Sequence, residues 1–145
     1  MRSATLKALV IHTADEAGTT TGPDYMFGWG LMNTYKAIDL MRWDSTGGFN
    51  THIYELTLNR NDSIMIDIGN LGLEPLKGTI CWTDLPGTLP SASLDPTTSM
   101  LVHDLDLRII KKRDNQTYSP WTLNPSSPSS AATTGDNTRD NVEQI

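Results

Sequence analysis

The hydrophobic period of this chain changes once, and that change constrains its fold more than any other feature. Leu6, Leu9, Val10 and Thr13 recur at i, i+3, i+4 and i+7, the spacing of one helical face. With Ser3 as N-cap, this pattern predicts a helix that stops near Ala17-Gly18. Gly22 and Pro23 then supply turn chemistry. A second helix is expected from near Gly30, with Leu31, Tyr35, Ile38 and Met41 on one face. After WDSTGGFN the period becomes alternating. Tyr54, Leu56 and Leu58, then Ile64, Ile66 and Ile68 beyond the Asn59-Arg60-Asn61-Asp62 turn, predict a hairpin. Thr79–Thr83 reads as a third strand, and the stretch carrying Leu105, Leu107 and Ile109 as a fourth.

Three segments follow: helices over 1–42, a linker over 43–52 and a β-domain over 53–145. Strands separated by long polar loops, such as residues 85 to 99, suit a jelly-roll β-sandwich better than a meander. The expected fold class is therefore mainly β, an incomplete jelly-roll preceded by two α-helices. The tail over 118–138 is rich in Pro, Ser, Thr and Asn and is expected to be mostly loop. NVEQI reads as the start of a strand that goes no further, as if the chain were part of something larger.

Composition narrows the partners. Among 145 residues, 11 basic against 17 acidic side chains give a net charge of −6, which does not offer the positive field that a phosphate backbone requires. Nucleic acid is excluded as a partner on this ground. No stretch reaches the roughly 18 apolar residues of a membrane span. Cys81 is the single cysteine, so neither an internal disulfide nor a thiolate zinc cluster is expected. The N-terminal segment is too polar for a signal peptide.

LKALVIHTADEAG followed by GPDYMFGWGLMNTYKAI resembles the C-terminal end of the catalytic domain of subtilisin-like serine proteases. The resemblance is carried by a helix and then a Tyr-x-x-Gly-x-Gly-x-x-Asn turn, here Tyr25, Gly28, Gly30 and Asn33, followed by a closing helix that bears Ala37. PLKGTICWTDLPG, LVHDLDLRI, PWTLNP and GDNTRDNVEQI look like the β-domain that follows the catalytic domain in a group of bacterial subtilases, similar to the P-domain of proprotein convertases. Leu85 and His103 depart from that pattern, standing where proline and asparagine are common.

The resemblance implies the non-catalytic C-terminal portion of a secreted or cell-envelope serine endopeptidase. Its partners would be the rest of the catalytic domain and, through the parent enzyme, protein substrates. Acyl transfer to serine needs a serine, a histidine and an aspartate held in register. None of the three motifs is present, so no catalytic and no cofactor-binding residue is assigned; His12 is read as a structural helix residue, and His52 lies in the linker with no motif around it. Uncovered helix and sheet edges are expected to favour oligomers.

Calcium is the one cofactor to weigh. Asp104 and Asp106, two apart on an expected strand, project to one face, and Asp136, Asp140, Asn137 and Asn141 offer further oxygens. The competing reading is a solvated strand face of Asp104, Asp106 and Arg108. Trp29, Trp43, Trp82 and Trp121 raise an alternative function, an independent β-sandwich module binding glycan or a cell-surface ligand, set against plain core or edge packing.

Overall fold

The computed structural model describes residues 1–47 and 52–145. Gly48, Phe49, Asn50 and Thr51, the centre of the expected 43–52 linker, lie outside the described residues. Two helices come first, α1 (Ser3–His12) and α2 (Thr34–Thr46). Six short strands follow: β1 (Thr79–Cys81), β2 (Ile109–Lys111), β3 (Gln116–Tyr118), β4 (Trp121–Thr122), β5 (Thr133–Thr134) and β6 (Val142–Gln144).

Both helices fall where the periodicity puts them, with different ends. α1 stops at His12, short of Ala17-Gly18, and Ser3 is its first helical residue; Arg2 stands at the N-cap without a side-chain cap bond. α2 begins at Thr34, after Gly30, because Asn33 caps it: the Asn33 side chain accepts from the Lys36 N–H at 2.9 Å. That bond satisfies one of the orphan donors of the first turn. Of the expected α1 face, Leu9 and Thr13 are buried while Leu6 is exposed.

The expected jelly-roll is not formed. The strands pair as three separate two-stranded antiparallel sheets, β1 with β6, β2 with β3 and β4 with β5. The expected 54–68 hairpin is absent too. Its turn is present, with Asp62 N–H donating to Asn59 at 3.1 Å, but the flanking residues form no ladder and Ile64, Ile66 and Ile68 are exposed. Of the expected fourth strand only the end is realised, as β2. Between residues 75 and 128, Pro75, Pro86, Pro90, Pro96, Pro120, Pro125 and Pro128 each remove a ladder donor, and none of the strands exceeds three residues; the 54–68 segment holds no proline and lacks instead, among the described residues, a partner strand that would cover its apolar side chains. A sandwich needs two sheets wide enough to cover each other.

NVEQI, expected as an unfinished strand, is β6 and is paired throughout: Thr79 faces Gln144, Ile80 faces Glu143 and Cys81 faces Val142. All three β6 residues are buried, and Leu9 and Val142 are the buried hydrophobic side chains among the described residues. α1 packs on β1 through a polar seam in which His12 Nδ1 lies 3.0 Å from Thr79 Oγ1, which also accepts from Gln144 Nε2 at 3.0 Å. Burial, reinforced by the nearby Lys77 ammonium, lowers the His12 pKa, which favours the neutral imidazole in this seam.

Candidate functional site

Two places gather chemistry-bearing side chains. The first is acidic. Asp106 lies just before β2, Asp136 just after β5 and Glu143 at the centre of β6; one carboxylate oxygen of each lies within 4.8 Å of one from both others. Arg108 clasps the group from one side, donating to Asp106 at 2.9 Å and also to Asp136. Glu143 is fully buried. Its Oε2 accepts from the Leu107 N–H at 2.5 Å, while Oε1 has no hydrogen-bond partner.

The electrostatics follow from this crowding. Asp106 is raised above the usual carboxylate range, chiefly by the adjoining Asp136 carboxyl. Asp136 is lowered, by its hydrogen bonds with Asp106 and then Arg108. Burial raises Glu143, against the pull of the Leu107 N–H and Arg108. Two carboxylates this close disfavour ionising together.

The structure thus selects among the residues proposed for calcium. Asp106 and Asp136 come together; Asp104 and Asp140 stay outside the trio. Asn137 donates to the Val142 carbonyl at 3.1 Å, and Asn141 bridges Lys7 Nζ at 2.6 Å and the Trp82 carbonyl at 2.7 Å. Both amides are thereby spent on structure. Glu143 was not legible as a member. Strand alternation assigns it to the face opposite Val142, and the backbone donor it meets, Leu107, is 36 residues away.

The second place is a cleft of about 260 Å³ between α1 and the β segments, lined by Lys7, Ile11, Trp29, Trp121, Asp140 and Val142 among others. It is smaller than the ~300–1,000 Å³ of ordinary ligand pockets. Trp29 and Trp121 share it, but Trp121 also packs its ring against the backbone of Gly22, where an added Cβ would fall 2.8 Å away. Trp82 donates to the His103 carbonyl at 2.9 Å, and Trp43 sits in α2 with its ring 6.3 Å from that of His52. The four indoles therefore form no common sugar platform.

No protein-family model, curated protein or solved structure matches this chain. His103 Nδ1 lies 2.7 Å from Asp84 Oδ1, a contact of the same kind as the base–carboxylate pair of a hydrolytic triad, but here it belongs to a loop. The Asp84 carboxylate is already occupied, accepting from the Val102 N–H at 2.7 Å and the His103 N–H at 3.1 Å. These bonds, that to Val102 first, hold its pKa down to about 2, the signature of a staple between two loop segments. Burial pushes the Cys81 thiol up to about 11, so it is a poor nucleophile. No helix among the described residues is long and apolar enough to cross a membrane.

Proposed function

We propose that this chain is the non-catalytic C-terminal portion of an exported subtilisin-family serine endopeptidase, packing on the catalytic body and stabilising it or shaping substrate access. The observation that carries this reading is the turn from Tyr25 to Asn33. Its backbone is tied down: Asp15 and Leu31 exchange both backbone hydrogen bonds at 2.8 Å, Asn33 donates to Asp15 Oδ2 at 2.7 Å, and Lys36 pairs with the same carboxylate. Yet its apolar side chains point outward, with Tyr25 51%, Met26 80%, Leu31 68% and Met32 61% exposed.

A well-fixed segment that presents Met, Leu and Tyr to solvent is a docking element. In the reading proposed here, what it docks on is the rest of the catalytic domain. The same apolar surface favours association between copies when that body is missing. Peptide hydrolysis would belong to the whole enzyme, through a serine, histidine and aspartate supplied by the catalytic body.

The chain expressed by itself is expected to hydrolyse neither peptide nor ester substrates and to take up no label from a serine-directed fluorophosphonate. Mass-spectrometric detection of a phosphonylated serine on the folded chain would refute the non-catalytic assignment.

A further inference from the structure

We infer that the seam between α1 and the β1–β6 sheet is an acid-sensitive latch, closed while His12 is neutral and loosened when it takes up a proton. The geometry fixes the direction of its hydrogen bonds. Thr79 Oγ1 accepts from Gln144 Nε2 at 3.0 Å and lies 3.0 Å from His12 Nδ1. A hydroxyl has one proton to donate, and the unprotonated nitrogen of a neutral imidazole accepts it. His12 Nδ1 is the acceptor within reach of that proton, so the chain runs from the Gln144 amide through the Thr79 hydroxyl to the ring. This order assigns the imidazole hydrogen to Nε2. Protonating Nδ1 sets a second donor against the hydroxyl. The Thr79 proton must then turn away, and the relay breaks at its centre.

Charge acts in the same direction. Lys77 Nζ donates to the His12 carbonyl at 3.3 Å, so a cationic ring would form beside an ammonium. The neighbouring groups offer no compensating anion. On α1 itself, the Lys7 ammonium is held by Asn141. Asp15, beyond the helix end, is engaged by Lys36 and Asn33. Cys81 shares the Thr79 face of β1, and burial pushes its thiol up to about 11, which keeps it uncharged. Glu143 alternates to the other face of β6 and accepts from the Leu107 N–H. The C-terminal end of α1 favours a cation at His12, but burial and Lys77 outweigh that pull and lower its pKa.

The sign follows from linkage. An unfolded histidine titrates near ~6.5, and His12 in the folded chain titrates below that, so the folded chain binds fewer protons in the interval between. The seam's contribution is complete above about pH 6.5 and is lost as the pH falls through that value towards the folded pKa. Leu9 on α1 and Val142 on β6 are the buried apolar side chains among the described residues, so loosening this seam reaches the core directly. The inference does not rest on the protease reading.

The test follows the full chain by proton–carbon NMR of the imidazoles and by hydrogen exchange corrected for the intrinsic effect of pH. His12 is expected to titrate below ~6.5. Protection of the Thr79–Cys81 amides is expected to fall several-fold between about pH 7.5 and about pH 5, while that of Ile109–Lys111 in the separate β2–β3 sheet holds. His12→Asn places a non-titrating acceptor near the Nδ1 position and should keep Thr79–Cys81 protected at both pH values. Lys77 is exposed, so Lys77→Gln keeps the test decisive should H12N misfold: it should raise the pH at which His12 titrates and shrink the loss of protection. The latch is overturned if Thr79–Cys81 protection is the same at both pH values, if both sheets lose protection alike, or if H12N or K77Q loses it in acid as fully as the unaltered chain.

Discussion

Gly30→Val is expected to lower the thermal midpoint of the chain by about 10 °C, whereas Gly28→Ala in the same turn lowers it by only a few degrees. The two glycines share positive φ, +102° at Gly30 and +61° at Gly28, but not surroundings. A Cβ at Gly28 meets nothing within 4 Å; one at Gly30 would fall 2.1 Å from the Asp15 carbonyl oxygen, which is backbone and has no rotamer to escape into. The left-handed conformation alone costs an ordinary residue about 1–2 kcal/mol. At Gly30 the clash adds the loss of the paired Asp15–Leu31 hydrogen bonds, bringing the total to at least about 3 kcal/mol. With that bridge gone, Asn33 and Lys36 lose their shared Asp15 carboxylate, and the cap of α2 loosens. Circular dichroism melts of the two variants check this; equal midpoints would contradict it.

Val142→Asp is expected to be at least as damaging, costing about 3 kcal/mol or more and melting the β1–β6 sheet first. Val142 is 3% exposed, faces Cys81 across the ladder and shares the inter-element cleft with Trp121. Its replacement forfeits the ~1.5–3 kcal/mol of a buried valine and places a carboxylate in a buried strand where the neighbouring Lys7 ammonium is already held by Asn141. Few buried apolar side chains elsewhere can compensate, since Leu9 is the other one among the described residues. Hydrogen exchange should show the amides of Thr79–Cys81 and Val142–Gln144 losing protection together, ahead of those in α2. Retained protection in both strands would show that burial of Val142 is not what holds this sheet.

The helices were legible because a helix satisfies its own backbone: the runs through Leu6, Leu9 and Val10 and through Tyr35, Ile38 and Met41 need only neighbours in sequence, although their starts were not, since Asn33 and not Gly30 sets the start of α2. Strands were legible only where a partner exists. Ile64, Ile66 and Ile68 alternate as well as any strand, yet are 47%, 42% and 59% exposed, because alternation states which face would be buried and not what would bury it. Ile80 alternates no better and is strand, because β6 reaches it from the far end of the chain. The acidic site was half legible for a related reason. Asp106 and Asp136 stand out as oxygen donors in polar segments. Glu143 does not, since a glutamate between Val142 and Gln144 reads as the solvent face of a strand, and only the return of residues 105–108 across that face encloses it.

The proposal that this chain is a non-catalytic portion of a subtilisin-like endopeptidase is tested most directly by the genomic reading frame immediately upstream of the Met1 codon. The proposed function predicts an open frame continuing upstream, with a Gly-Thr-Ser-Met-Ala-type helix start encoded a short distance before Met1 and aspartate and histidine motifs earlier still. A stop codon followed by a secretion signal leading directly into Met1 would contradict it.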